Sequence, residues 1–303
     1  MIDGALVTAR AVHFTATLLL QGSICFRFFV AEPALGGASG GGDRPWLNGM
    51  AASAGIVAIL SGAAWLLLLA AEITGASVSD AIADGTAWTL LTQTQFGIAW
   101  QARAAGFVLL AVCMIELDPA RPARWLAGLA LLLSVGLSGS IVWAGHGAAT
   151  PGVLGAVHVA IDFLHLAAAG VWLGGLLPFT VLLLQSKPHA RAELTRRFSL
   201  LATVSVLVLL PSGIANGWFM LGGIGALTGT LYGRLLLAKI ALFFVMLAFA
   251  AVNRFVLTPQ LASNAATSKG ATNRLAIHSD CEIALGVAIL AIVGVLGILP
   301  PEM

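Results

Sequence analysis

The sequence predicts an all-α, polytopic membrane protein, a bundle of eight transmembrane helices forming one integral-membrane domain over residues 1–303. Three observations predict it. Hydrophobic residues make up 59% of the chain and charged residues only 9%, against about 25% charged in soluble domains. Mean hydropathy is +0.98. The apolar residues also gather into eight runs, each reaching the roughly 20 residues that a spanning helix needs. With 15 Lys+Arg against 13 Asp+Glu, the small positive balance implies no nucleic-acid partner. Three scattered cysteines form neither a disulfide framework nor a CxxC motif.

The first run, about 5–31, is preceded by Asp3 and carries Arg10. It lacks an A-x-A pattern near its end, so a retained helix is expected rather than a cleaved leader. Glu32-Pro33 and the glycine tract Gly36–Asp43 end it. The second run covers about 46–72. Residues 75–92 are polar enough to leave the membrane, and Ala81, Ile82, Trp88 and Leu91 suit a short interfacial helix. The third and fourth runs, about 94–117 and 123–145, are separated by Asp118-Pro119 and Arg121-Pro122. The fifth, about 152–184, starts at Thr150-Pro151-Gly152 and ends before Lys187-Pro188. The sixth, seventh and eighth cover about 198–221, 230–257 and 275–299. The fifth and seventh are long enough to tilt or to project from the bilayer. No internal repeat is visible, and neither end carries a polar stretch able to build a soluble domain.

Basic residues orient the bundle. The segments after runs 1, 3, 5 and 7 hold Arg44; Arg121 and Arg124; Lys187, Arg191, Arg196 and Arg197; Arg254, Lys269 and Arg274. The opposite side holds no Lys or Arg, only Asp3, Glu72, Asp80, Asp84 and Glu302. Both termini are therefore expected outside, in the periplasm of a bacterium. Arg10, Arg103 and Arg234 fall near outer helix ends, where they are expected to snorkel to headgroups or to pair with acidic groups.

Ionisable groups inside a span are costly and face the bundle interior, which makes them functional candidates. Run 5 carries three: His158, Asp162 and His165. At 100° per residue they fall within about 40° of one another on one helix face. Axial rise separates them by roughly 6 Å and then 4.5 Å, so the two histidines are about 10.5 Å apart along the axis. Either Asp162 teams with one histidine and a ligand from another helix, or the stripe forms successive sites at different depths. His146, between Gly145 and Gly147 at the outer end of run 4, suits an entry ligand. His13, about 12 Å into run 1, matches the depth of His158 and Asp162 and is a candidate for the missing ligand. Softer groups lie towards the inner side: Cys25, Cys113, Met114, His278 and Cys281, with Glu282 beside them. Thiolate and thioether favour copper(I) and imidazole suits both copper states, so a passage from His/Asp to Cys/Met would suit copper moving inward. His189, in the basic inner segment, is expected to be solvated.

The sequence lacks GxSxG, HExxH, a phosphate-binding GxxxxGK[ST] and a Rossmann glycine pattern. No enzyme activity is expected, and no ATP-driven transport by this chain alone. Two other classes stay open from the residues. One is a haem-binding redox protein with axial ligands such as His13 and His158. The other is a sensor or assembly factor that holds copper without moving it.

Several segments together resemble the CopD family of bacterial copper-resistance membrane proteins. They are Gly145-His146 through His158 and His165 to Trp172-Leu173-Gly174-Gly175-Leu176-Leu177-Pro178, then Leu231-Tyr232-Gly233-Arg234 to Lys239, Asn253-Arg254 with Pro259, and Glu282-Ile283-Ala284-Leu285-Gly286 to Leu299-Pro300-Pro301. The resemblance extends over essentially the whole chain. It implies an eight-span inner-membrane protein that takes copper from periplasm to cytoplasm and contributes to copper tolerance. It also implies a periplasmic copper carrier of the CopC type, here as a separate protein. The start of run 8 departs from the family, which tends to place basic residues before the Glu-Ile/Val run where this chain has His278-Ser279-Asp280-Cys281-Glu282. The glycine pair Gly174-Gly175 would permit close helix contact, and Pro178 a kink.

Overall fold

The computed structural model describes residues 4–36, 43–117, 123–145, 152–221, 223, 225–261 and 265–300. Among them, eight helices are long and apolar enough to cross a membrane. They are α1 (Gly4–Leu35), α2 (Asp43–Thr74), α3 (Gln95–Glu116), α4 (Arg124–Ala144), α5 (Gly152–Gln185), α6 (Pro188–Met220), α7 (Leu231–Leu261) and α8 (Ala265–Leu296). No β-strand occurs among the described residues.

Six helices match the apolar runs to within a few residues. Two differ: α6 starts ten residues before its apolar run, and so does α8. Hydropathy marks only the lipid-immersed part of a helix. Backbone hydrogen bonding carries α6 on through the polar turn holding Arg191, Glu193, Arg196 and Arg197, where Glu193 pairs with both Arg196 at 2.8 Å and Arg197 at 2.5 Å. The polar stretch after α2 folds as two short helices, Val78–Ala83 and Thr86–Gln93, rather than one. Ser77 and Asp80 form a reciprocal capping box on the first. Asp84 accepts the Thr86 N–H at 2.9 Å, which holds its carboxyl below the usual carboxylate range. Trp88 and Ile82 are exposed, as an interfacial segment requires.

Two helices end in a π turn followed by a proline. In α1 the π turn is Arg27–Ala31, before Glu32-Pro33; in α7 it is Asn253–Leu257, before Thr258-Pro259. Proline offers no N–H and its ring crowds the carbonyl four residues back, so widening the preceding turn relieves the clash. Gly36, at φ +67°, then terminates α1.

The bundle is arranged around α1, of which 78% of the membrane window is buried, compared with 61% for α5 and 6% for α7. α1 packs against α2, α4, α5 and α8. Its tightest contact is with α5, where Gly22 meets Gly174 and Gly175 backbone to backbone and a Cβ on Gly174 would strike the Leu18 carbonyl. The Gln21 amide crosses the same seam over Gly170 and donates to the Ala167 carbonyl at 2.9 Å. One hydrophobic cluster then fills the α5–α8 side (Trp172, Phe179, Phe198, Met246), and another the α2–α4 side (Ala54, Phe107, Leu110, Leu137). Without a hydrophobic force between helices in lipid, such close backbone contact supplies the packing energy.

Gly174→Leu should therefore lose at least about 1–3 kcal/mol by overpacking. Gly128→Ala, with open space at its Cβ, should stay within about 1 kcal/mol of the parent. Thermal unfolding of the two variants in detergent, compared with wild type, tests this contrast.

Candidate functional site

The α5 stripe faces a matching stripe on α6. Ser212, Asn216 and Phe219 stand at the same intervals of four and three as His158, Asp162 and His165, and the antiparallel helices bring them together pairwise. The His158 ring stacks on Phe219 at 4.5 Å between centroids and 11° between planes. Asn216 Nδ2 donates to Asp162 Oδ1 at 2.9 Å. His165 Nδ1 lies 3.0 Å from Ser212 Oγ. Ser212 gives its own proton to the Val208 carbonyl at 2.6 Å, so the imidazole must be the donor. Its ring lone pair then lies on Nε2. Pro211, inside α6, precedes Ser212 directly.

Two further features complete this interface. Asn216 Oδ1 is buried and lacks a hydrogen-bond partner among the described residues. Lys239 of α7 interacts electrostatically with both Asp162 and His165 without closing to ion-pair distance, and Tyr232 of the same helix feels the Asp162 charge. The candidate site thus carries a carboxylate, two imidazoles and an amide oxygen, with an ammonium nearby. Among the described residues, no three His, Cys, Asp or Glu side chains converge closely enough to hold one metal ion. The stripe places its ionisable groups one above another along the helix and not in a ring.

A cavity of about 190 Å³ lies further along α6, on a different face of the helix from Ser212, lined from Leu207 and Val206 to Thr195. Its far wall includes Asn253 and Arg254 of α7 and Ser279 and Glu282 of α8. Asn253 organises this end. Its Nδ2 donates to Glu282 Oε1 at 2.7 Å, and its Oδ1 accepts from His278 Nδ1 at 2.8 Å. Glu282 is 1% exposed, His278 is half-buried against Phe249, and Cys281 is half-buried.

His13 is not brought to the α5 stripe. Its ring is fully buried among Phe14, Trp65 and Trp100. Nδ1 donates to the Ala58 carbonyl at 2.8 Å, and Nε2 accepts from Arg103 at 2.6 Å, so both nitrogens are occupied. The axial pair His13–His158 considered for a haem is therefore not assembled, since His13 has no free lone pair and His158 stacks on Phe219. Cys113 and Met114 pack in the apolar cluster on the α2–α4 side. Cys25 is a buried free thiol. His146 lies outside the described residues, and His189 is exposed.

The three arginines expected to snorkel to headgroups or to pair with acidic groups differ in burial. Arg234 is exposed, whereas Arg10 and Arg103 are buried, at 6% and 4% exposure, because aromatic faces and carbonyls inside the bundle hold them. Sequence reasoning also passed over Asn216, Ser212 and Lys239 as site residues. Lys239 was legible as an ionisable group in an apolar run. The other two were legible only once their spacing is set beside that of the α5 stripe.

Comparison with known proteins identifies matches along the chain. A family model described as "Copper resistance protein D-like, N-terminal domain" matches residues 1–156, and one described as "Copper resistance protein D" matches residues 192–296. Copper resistance protein D of Pseudomonas syringae pv. tomato is 32% identical over 100% of this chain and 99% of its own length. Copper transport protein CutJ of Bacillus subtilis (strain 168) is 31% identical over 96% of this chain, which spans 52% of that relative. Inner membrane protein YebZ of Escherichia coli (strain K12) is 26% identical over 97% of this chain and 98% of its own. No solved structure matches. The His158–His165 stripe falls between the two model matches and within the full-length alignment.

The cluster of Asn253, His278 and Glu282 depends on the Asn253 amide. Asn253→Ala should destabilise the protein by about 1–3 kcal/mol, because it removes one donor from the buried Glu282 carboxyl and the acceptor of His278. Adding Glu282→Leu should restore part of the loss by removing the under-satisfied buried carboxyl, as read by thermal unfolding.

Proposed function

Because the chain belongs to the copper resistance protein D family, we propose that it moves copper from periplasm to cytoplasm along the interface of α5, α6 and α7. The protein is a multi-pass inner-membrane protein. The observation that carries the reading is the Asp162–Asn216 pair at membrane depth. The Asp162 carboxylate accepts from the Asn216 amide, and that amide's own oxygen is buried without a hydrogen-bond partner among the described residues. A cation fits this arrangement, because it would offset the carboxylate and satisfy the orphan oxygen together.

Copper, as cargo, enters past His146 and meets His158, Asp162 and His165 in turn, with steps of roughly 6 Å and 4.5 Å. Weak sets of two or three ligands suit passage, since an ion held by a complete cage would not leave. Lys239 balances Asp162 when no cargo is present, and an arriving cation takes over that role. Beyond Ser212 the cavity leads to the Asn253–His278–Glu282 cluster, which serves as the inner exit with Cys281 beside it. Cys25, Cys113 and Met114 are packing residues in this reading. A separate periplasmic CopC-type carrier delivers the ion. The chain conducts without hydrolysis.

Asp162→Asn and His165→Ala should each abolish copper accumulation in cells and copper flux in sealed vesicles, with expression unchanged. Undiminished flux in both variants overturns the pathway, and stoichiometric copper binding without flux in wild type would make the protein a holder of copper rather than a carrier.

Orientation is tested separately. Alkaline phosphatase fused after Met303 should be active and a cytoplasmic fluorescent reporter at the same place dark, as ten Lys/Arg on one side and none on the other require.

A further inference from the structure

On the opposite flank of α1 from the α5 stripe lies a cluster that the copper pathway does not use. Arg10 and His13 of α1, Trp65 of α2, and Trp100 and Arg103 of α3 form one continuous stack. The Arg10 guanidinium carbon sits 4.5 Å from the Trp65 ring centroid and 5.7 Å from that of Phe14. Trp65 and Trp100 meet edge-on at 5.7 Å, and Arg103 lies over Trp100 at 5.2 Å. All five residues are at most 9% exposed.

The hydrogen-bond balance of this stack is one-sided. Every acceptor in it is already taken: Arg103 donates to the Leu137 carbonyl at 2.7 Å, to Ser140 Oγ and to His13 Nε2, and His13 Nδ1 donates to Ala58. The polar atoms left without a partner are all donors: Arg10 Nε, Trp65 Nε1 and Trp100 Nε1. The charge is equally one-sided. Two guanidiniums act together on His13, and neither forms an ion pair with a carboxylate among the described residues; Glu72, Asp80 and Asp84, the acids described on this side, are exposed. The end of α8 touches Arg10 at Gly297, where a Cβ would collide with the guanidinium. Its carbonyls bring some negative potential but no hydrogen bond. Cation–π contact with neutral rings offsets only part of a buried charge.

We infer that Arg10, Trp65 and Trp100, backed by Arg103, form a binding site for a small monovalent anion of halide size. An anion supplies what the cluster lacks, both the acceptor for three orphaned N–H groups and the counter-charge for two guanidiniums. Such a site is a fixed counter-ion within the half of the bundle that carries the termini, and it keeps that half from repelling a cation moving along α5.

The test uses purified full-length protein in detergent, unfolded thermally in sodium chloride and in sodium gluconate at equal ionic strength, without copper. Chloride should raise the wild-type unfolding temperature saturably, as a ligand of the native state does. Trp65→Phe keeps the ring and removes one N–H, and Arg10→Gln removes one charge. Each should lose more than half of the chloride shift. Equal unfolding temperatures in the two salts overturn the site, as does an undiminished chloride shift in Trp65→Phe. Stabilisation by formate but not by chloride overturns the halide assignment in favour of a carboxylate. Because copper is absent throughout, failure here leaves the pathway along α5 untouched.

Discussion

The backbone contact between α1 and α5 organises the molecule. Gly22 against Gly174 and Gly175 lets two helices approach at a distance that no other residue permits, and this places α1 on the axis with a different neighbourhood on each flank. In lipid, where apolar surface gains nothing by leaving the solvent, such contact is one of the few forces that can fix helix position. The stripe on α5 is then turned towards α6 and α7, while His13 and Arg10 of α1 are turned towards α2 and α3. Both polar compartments follow from that single seam.

The two compartments have opposite chemistry. On the α5 side the unsatisfied atom is an acceptor, the Asn216 amide oxygen beside a carboxylate. On the α2–α3 side the unsatisfied atoms are donors beside two guanidiniums. A low-dielectric surrounding magnifies both imbalances, since neither has bulk water to relieve it. One compartment suits a cation and the other an anion, and α1 with its tightly packed neighbours separates them. Segregation of this kind leaves Asp162 without an arginine partner among the described residues.

Copper coordination in this chain, as proposed, also follows from helix geometry. Residues at intervals of four and three share a face but rise by several ångströms each, so one helix offers ligands in series and not in a ring. A partner helix with the same intervals, running the other way, matches each ligand with one neighbour: Phe219 for His158, Asn216 for Asp162 and Ser212 for His165. The outcome is a series of pairs at successive levels along the two helices.

The eight spans and the stripe of His158, Asp162 and His165 were legible in the sequence, because hydropathy and the 3.6-residue period are local properties that lipid enforces strongly. The family resemblance was carried by short motifs of the same local kind. The early starts of α6 and α8 were not legible, since a helix continuing into water keeps its hydrogen bonds but loses its apolar signature. Depth along a helix placed His13 level with His158, yet depth says nothing of azimuth, and rotation about the helix axis is set by packing against neighbours. The same holds for Arg10 and Arg103, whose position near helix ends fits snorkelling while their direction, inward, depends on Trp65, Trp100 and the Leu137 carbonyl. The sequence by itself determined which segments cross the membrane and which polar groups must be sheltered. Only the tertiary structure decided which of those groups meet, because the partners lie on other helices and a pairwise contact is written in neither helix alone.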